Sequence, residues 1–314
     1  MLAGLHLASA LLCTVSASAA LRLIILLIDT GSSNTRVGAG KAFVQTRTTK
    51  PMGDLVISVN DSFTGEEFTD QVTLAPGLVM QNRAIGAAIE SQGFDGVYGI
   101  IGIGPVDLTC ETLFPARMIL ASRFAPTQSL EATYGELTFG GIDESKFTSP
   151  LTFVPITSTS PANEFVGIDQ TVTYGSQGTV VLASTDTRTT LLLPASDAFA
   201  TYQNLTGGVL DDATGLLKIT SAQFANLQSL FFHIGETTFD FTPNAQLWPR
   251  ALNTSIGGQS DAIYLIVNDL GSFSGGGLDL IDGMTFLKRF YYVFDIFNSR
   301  VGFAKTPFTN AITN

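Results

Sequence analysis

Short apolar segments separated by Gly, Asn, Asp and Ser turns dominate this chain. Apolar runs of about four to eight residues bounded by such turns are typical of β-strands. The pattern predicts hairpins at Leu55–Val59 with Phe68–Leu74, at Leu230–Phe241 and at Phe290–Ala304. The turns of these hairpins are expected at Asn60–Asp61, Gly235 and Asn298–Ser299, where the residue types favour chain reversal.

Further strands are predicted at Leu78–Glu90 with a break at Gly86, and at Gly135–Asp143, Phe165–Tyr174 and Thr179–Leu182. A short helix is expected to start near Ser196 and stop before Gly207, and another within the mixed segment Asp107–Phe124. The pattern therefore predicts an all-β class, mainly strands with a few short helices.

Two apolar runs end on the same dipeptide, Asp-Thr. The first is Leu26–Asn34, in which Asp29 is followed by Thr30, Gly31 and Ser32, a sequence typical of a strand entering a tight turn. The second is Val180–Thr187, whose Asp186 lies 157 residues after Asp29 (186 − 29), half of the 314-residue chain. This spacing predicts two lobes that each contribute one carboxylate.

A pair of close, buried carboxylates has a definite chemistry. Two such groups cannot both ionise cheaply, so they share one proton. One carboxylate can then act as a base and the other as an acid on a water molecule held between them. The pair Asp29 and Asp186 therefore favours acid–base chemistry on a bound water molecule.

Composition supports this interpretation and excludes others. The chain has 31 Gly and 23 Phe, only 14% charged residues and a formal net charge of −11. Nucleic acid is an unexpected partner because no Lys/Arg cluster occurs. A chain with so few basic residues stays modestly charged when its carboxylates become protonated, which fits an acidic working medium.

The first residues are typical of a secretory signal. Met1–Ala20 has an apolar core at Leu7–Leu12 followed by small residues, among them Ala17 and Ala19, in a cleavage pattern. The competing interpretation is a membrane anchor over Leu2–Ile28. Arg22 and the Ser/Ala-rich middle of that segment argue against an anchor. We expect a secreted protein without a membrane anchor; three sequons, Asn60, Asn204 and Asn253, are compatible with that route.

The glycines of Phe94–Gly104 have a structural interpretation. Glycines flanking paired isoleucines suit backbone that passes close to other backbone in a dry interior. A phosphate-binding loop is excluded because Pro105 follows at once and no Lys-Ser/Thr occurs.

These residues together resemble the pepsin-type aspartic proteases, and among them the fungal polyporopepsin-like secreted proteases most closely. The similar segments run from Leu26 to the C-terminus, and comprise 27–35, 94–108, 135–143, 155–161, 195–199, 226–232, 244–250 and 286–303. The resemblance implies a bilobal pepsin-like fold of two pseudo-symmetric β lobes around a cleft. We expect a signal peptide at 1–20, an N-terminal lobe at 21–150 and a C-terminal lobe at 151–314.

The resemblance also implies a role for each site residue. Asp29 and Asp186 are the catalytic pair, and Thr30 and Thr187 brace the two loops by hydrogen bonds. Ser32 and Thr189 lie beside the carboxylates and hydrogen-bond to them, and Gly31 permits the tight first turn. The resemblance implies peptide-bond cleavage by direct attack of the water, without a metal or cofactor, and we expect a monomer that acts on protein or peptide substrates.

The chain also departs from the family pattern. Arg188 replaces the Gly of the second Asp-Thr-Gly, Arg36 replaces a Trp, and the flap segment Ser58–Gly65 is short and lacks its Tyr. A guanidinium near the pair would favour charged carboxylates and oppose the shared proton. About one strand-helix unit is missing between Phe114 and Tyr134, through either a true shortening or lost coding sequence. The alternative hypothesis is therefore a catalytically impaired relative that binds peptides or has no function.

Overall fold

The computed structural model describes residues 26–29, 35–39, 41–57, 63–75, 78–92, 98–102, 119–126, 128, 135–175, 179–182 and 190–314. It divides into two compact units, Met1–Ala116 and Arg117–Asn314. The predicted signal peptide at 1–20 lies outside the described residues. The predicted lobe boundary at residue 150 remains a prediction, and residues 117–150 lie in the second unit.

The first unit is built on one six-stranded sheet. Its strands are β1 (Leu26–Asp29), β2 (Thr35–Val37), β3 (Lys50–Ile57), β4 (Phe63–Ala75), β5 (Leu78–Ser91) and β6 (Gly99–Gly102). Their order across the sheet is β1-β6-β2-β5-β4-β3. The β1–β6 and β2–β5 pairs are parallel, and the others are antiparallel.

The long β3–β4–β5 meander confirms the first predicted hairpin. Strand β4 begins at Phe63, five residues before the predicted start, and β5 runs to Ser91. The predicted break at Gly86 is wrong, because Gly86 pairs in register with Glu67 inside the ladder. A glycine weakens a strand, but regular pairing along β4 outweighs that local preference.

The glycine run confirms the expectation of close backbone contact. A Cβ atom placed on Gly99 would lie 1.9 Å from the carbonyl oxygen of Arg36 and 2.9 Å from the Cα atom of Val37. Only glycine permits this approach between β6 and β2. Ile101, one residue before the end of β6, is 2% exposed and belongs to the core of this unit.

The second unit contains the remaining strands, arranged in four sheets. The strands are β7 (Ile119–Phe124), β8 (Gly135–Phe139), β9 (Thr152–Pro155), β10 (Gln170–Tyr174), β11 (Thr179–Leu182), β12 (Leu192–Pro194), β13 (Val209–Leu210), β14 (Leu217–Ile219), β15 (Leu230–Ile234), β16 (Thr237–Phe241), β17 (Ile263–Tyr264), β18 (Leu280–Asp282), β19 (Phe290–Asp295) and β20 (Arg300–Lys305). The sheet orders are β8-β7-β19-β20-β9, β11-β10-β15-β16, β12-β18 and β13-β14-β17.

Short helices connect these sheets. The α-helices are α1 (Ser196–Thr206), α2 (Ser221–Ala225) and α3 (Met284–Leu287), and 3-10 helices lie at Glu144–Lys146, Ala162–Phe165, Arg250–Ile256 and Ile296–Asn298. The predicted helix at Ser196 is confirmed, and it ends because Gly207 takes a left-handed conformation (φ 68°). The hairpins at Leu230–Phe241 and Phe290–Ala304 are confirmed as β15–β16 and β19–β20.

The segment Asp107–Phe124 was expected to contain a helix, and its described end is instead a strand. Residues 119–124 form β7, which pairs antiparallel with both β19 and β8. Local sequence favours no single state here, so pairing with two neighbours decides the conformation. Residues 103–118 lie outside the described part of the chain.

The core of the second unit is aromatic. Phe286 of α3 is fully buried, and its ring centroid lies 4.6 Å from that of Phe232 and 4.7 Å from that of Phe290. Phe239, Phe241 and Phe303 extend the cluster. Trp248 is 4% exposed and is also part of the buried core of this unit. In the described ranges no helix is long and apolar enough to cross a membrane.

Candidate active site

Asp29 is the last residue of β1. Its backbone pairs with Gly102, the last residue of the parallel strand β6. The apolar run that precedes Asp29 therefore forms the predicted strand, and the carboxylate-bearing residue stands at the strand end. Thr30, Gly31 and Ser32 lie outside the described residues, so their roles stay predictions.

Arg83 links the strand that pairs with Asp29 to the first residue after this loop. Its Nη2 atom donates a 2.8 Å hydrogen bond to the carbonyl of Gly102, the partner of Asp29. The same nitrogen lies 3.4 Å from Oγ1 of Thr35, the first residue after the loop. Burial lowers the pKa of the Arg83 guanidinium, yet the group stays charged near neutrality. Sequence reasoning missed this residue, although an Arg inside the largely apolar run of β5 is a signal that could have found it.

Arg36 is accommodated without the Trp of the family pattern. It lies in β2, where its backbone pairs with Ile100 of β6 and Gly86 of β5. Its guanidinium carbon lies 5.8 Å from the ring centroid of Phe63, a fully buried residue at the start of β4. This cation–π geometry keeps an aromatic contact at the position, with the aromatic ring supplied by β4, two strands away in the sheet.

The second loop is bounded by described residues on both sides. Strand β11 ends at Leu182 before the loop, and Thr190 is the first described residue after it. The carbonyl of Thr190 accepts a 3.1 Å hydrogen bond from the amide of Thr285. Asp186, Thr187, Arg188 and Thr189 lie outside the described residues. Their predicted roles, and the effect of Arg188, therefore stay predictions.

A buried polar pair lies beside the strand that leaves this loop. Asp282 is 2% exposed, and its backbone pairs with Leu192 of β12. Nε2 of Gln170, which is 4% exposed, donates a 2.9 Å hydrogen bond to Oδ2 of Asp282. Sequence analysis gave Asp282 no role, although it too ends an apolar run and precedes a glycine. The pair holds β10 and β18 together next to the second loop.

The short flap segment is described only in part. Residues 58–62 lie outside the described chain. The strands on either side of them, β3 and β4, are antiparallel, and Ile57 is paired with Thr64 at the end of the ladder nearest this segment. Within the described ranges no group of three or more His, Cys, Asp or Glu side chains could hold a metal ion.

Comparison with known proteins places the chain in a family. The profile of the eukaryotic aspartyl proteases matches residues 50–306, more than three quarters of the chain. The chain therefore belongs to the pepsin family of aspartic endopeptidases, as the sequence resemblance predicted.

Individual relatives agree with this assignment. The chain is 52% identical to polyporopepsin of Irpex lacteus over 92% of each protein. It is 27% identical to gastricsin of Cavia porcellus, over 89% of this chain and 76% of that protein. The crystal structure of the aspartic proteinase from Irpex lacteus superposes with a TM-score of 0.90 at 50% identity, covering 96% of this chain and 95% of that one. The predicted mainly-β, pepsin-like fold is thereby confirmed.

Proposed function

We propose that this chain is a secreted aspartic endopeptidase that hydrolyses peptide bonds at acidic pH with a water molecule activated between Asp29 and Asp186. The observation that carries the proposal is the 52% identity to polyporopepsin over 92% of both chains. Asp29 at the end of β1, with its backbone paired to Gly102, supports the first half of the pair.

The chemistry follows from the shared proton. The ionised carboxylate takes a proton from the water, whose oxygen attacks the peptide carbonyl carbon. The protonated carboxyl donates to the carbonyl oxygen, and the tetrahedral intermediate collapses when the amide nitrogen receives a proton. Attack by water is direct, so no acyl-enzyme forms, and no metal or cofactor is needed.

Supporting residues keep the two carboxylates in place. Thr30 and Thr187 would brace the loops, while Ser32 and Thr189 would hydrogen-bond to the carboxylates. Arg83 supports the first loop from outside, because it ties the backbone of Gly102 to Thr35. A loop held at both ends loses less entropy when it orders around substrate.

Substitution of the proposed pair tests the function. Asp29→Asn and Asp186→Asn should each lower kcat/KM on a denatured protein substrate at acidic pH by about 10²–10⁴-fold, because each removes one proton-transfer group. A statine-type inhibitor should block the wild-type chain. Circular dichroism of each variant controls for folding. Activity that survives both substitutions would refute the mechanism.

Arg188 separates the proposed enzyme from the impaired relative. Restoring the family residue with Arg188→Gly should raise kcat/KM. It should also move the acidic limb of the pH profile to higher pH, because a nearby guanidinium favours ionised carboxylates and its removal raises their pKa values. Arg188→Lys is the matched control, since it keeps the charge. If the folded, signal-free natural chain cleaves no substrate but the Arg188→Gly variant does, the natural protein is the catalytically impaired relative.

A further inference from the structure

Two of the three sequons lie in the described chain, and their structural settings are opposite. A folded, exported protein can carry an N-linked oligosaccharide only on an Asn-X-Ser/Thr asparagine whose amide the fold leaves at the surface. The triplets are Asn204-Leu205-Thr206 and Asn253-Thr254-Ser255. The third sequon, at Asn60, lies outside the described residues.

Asn204 stands on the outer face of α1. The buried residues of this helix are Ala198, Phe199, Tyr202 and Thr206, whereas Asn204 is exposed. Two residues beyond Tyr202, it lies about 200° around the helix from that inward-facing side chain. In the described part of the chain the Asn204 amide has no hydrogen-bond partner, so replacing one of its hydrogens would break no contact.

Asn253 is enclosed by the protein. It lies in the 3-10 turn Arg250–Ile256 and is 0% exposed. Its Nδ2 atom donates to the carbonyls of Gln259 at 2.8 Å and Ala262 at 2.9 Å, and lies 3.4 Å from the carbonyl of Ser260. Both amide hydrogens are therefore used to close the loop that follows, and no space exists for a sugar.

We infer that Asn204 is an N-glycosylation site and that Asn253 is a structural asparagine whose sequon stays unmodified in the folded protein. The inference rests on the proposed export, because the sugar donor is available only along the secretory route. Nδ2 of Asn204 forms a bond to the anomeric carbon of a lipid-pyrophosphate-linked oligosaccharide. The bond from that carbon to the pyrophosphate breaks, the amide loses one proton, and the lipid pyrophosphate leaves.

The order of events explains why the folded state still selects the site. Transfer occurs on the entering chain, before folding, so either asparagine can meet the donor. A chain modified at Asn253 cannot bury that side chain or make its carbonyl contacts, and it would fail to complete this turn. A chain modified at Asn204 folds unhindered, and the exported population therefore carries sugar at Asn204.

Single-sequon variants test the inference. The full chain is translated in the presence of endoplasmic-reticulum membranes, and each product is treated with and without an N-glycan endoglycosidase. Asn204→Gln removes the exposed acceptor. Ser255→Ala removes the second sequon while keeping Asn253 and its hydrogen bonds, and Ser255 is itself exposed. Asn60→Gln removes the third sequon.

The double variant Asn60→Gln/Ser255→Ala should carry one endoglycosidase-sensitive glycan, and adding Asn204→Gln should abolish it. In folded protein recovered from a secreting eukaryotic host, peptide mass spectrometry should find sugar on Asn204 and bare Asn253. Chains that enter the membrane vesicles are protected from added protease. A protected double variant without a glycan would overturn the inference, and so would folded protein with sugar on Asn253.

A parallel arm separates this inference from the proposed export. There residues 1–20 are replaced by the cleavable leader of another secreted protein. In one outcome the natural chain stays outside the vesicles, where added protease digests it, while the foreign-leader chain is glycosylated at Asn204. That result refutes export by the natural leader and supports the site. If the foreign-leader chain is protected and Asn204 stays bare, the site itself is refuted.

Discussion

Five phenylalanines from four strands form a cluster with Phe286 of α3 in the second unit, whereas two close approaches between described strands of the first unit require glycines. A Cβ atom on Gly99 would meet the Arg36 carbonyl at 1.9 Å, and one on Gly65 would meet the Ala87 carbonyl at 2.2 Å. The aromatic cluster thus depends on side-chain volume, and the close approaches at Gly99 and Gly65 depend on missing side chains. Opposite kinds of substitution should therefore damage these two places.

Removing volume from the second unit should have the largest effect. Phe286→Ala empties the centre of the aromatic cluster and should lower the free energy of unfolding by about 3–5 kcal/mol. Chemical denaturation followed by near-UV circular dichroism measures the change. Phe286→Leu is the control, because it keeps most of the apolar volume and should cost clearly less. A loss below about 1 kcal/mol for Phe286→Ala would contradict the proposed dependence on volume.

Adding volume to the first unit comes next. Gly99→Ala should destabilise that unit by about 1–3 kcal/mol, because backbone atoms of β2 must move to admit the methyl group. Hydrogen exchange should show lost protection in β1, β2 and β6. Gly141→Ala is the control, since its added Cβ meets nothing within 4 Å. Equal effects from the two alanines would show that crowding at Gly99 is not the cause.

A hydroxyl cage around a buried carboxylate gives a smaller expected effect. Asp70 is 5% exposed and accepts hydrogen bonds from Thr49 Oγ1 at 2.6 Å, from the hydroxyls of Thr46 and Thr48, and from the Gln71 amide at 2.7 Å. Thr49→Val should lower stability by about 1 kcal/mol and loosen the segment 41–49. Limited proteolysis of that segment measures the loosening, and Thr49→Ser should behave as wild type. Unchanged cleavage in Thr49→Val would argue against the cage.

The smallest expected effect depends on pH. Burial raises the pKa of Asp295, but hydrogen bonds from Asn298 and Arg300 outweigh it and the pKa falls below its usual value. A carboxylate with a lowered folded pKa stabilises the fold above its unfolded pKa of about 3.9 and loses that contribution as the pH falls through the folded value. Arg300 is 43% exposed, so the contribution should stay below about 1 kcal/mol.

Melting temperatures test this dependence. Asp295→Asn should melt below wild type at pH 6, and the difference should shrink as the pH falls below about 4. Glu164→Gln, which changes one surface carboxylate without such partners among the described residues, is the control. A difference that grows on acidification would reverse the assigned sign.

Local patterns along the chain predicted most elements that have strong turn chemistry. The hairpin at Leu230–Phe241 followed from its apolar segments and the turn at Gly235, and the helix at Ser196 followed from its start near Ser196 and the stop at Gly207. The break at Gly86 was predicted wrongly, and β7 was not predicted as a strand, because both conformations depend on pairing with distant strands, which no local window contains. At the site, Asp29 was found from its strand and turn pattern, whereas Arg83 was missed because its partners lie 19 and 48 residues away along the chain.

The sequence by itself determined the mainly-β class, the pairing of Asp29 with Asp186 as a hypothesis, and the family, because these depend on residue types and spacing along the chain. Only the tertiary structure decided which of two identical-looking sequons can carry a sugar. Asn204 and Asn253 share the same local signal, and burial against Gln259 and Ala262 is what separates them. Exposure is a property of the folded chain, since the carbonyls that enclose Asn253 are brought to it by the fold of the following loop and are not part of the triplet.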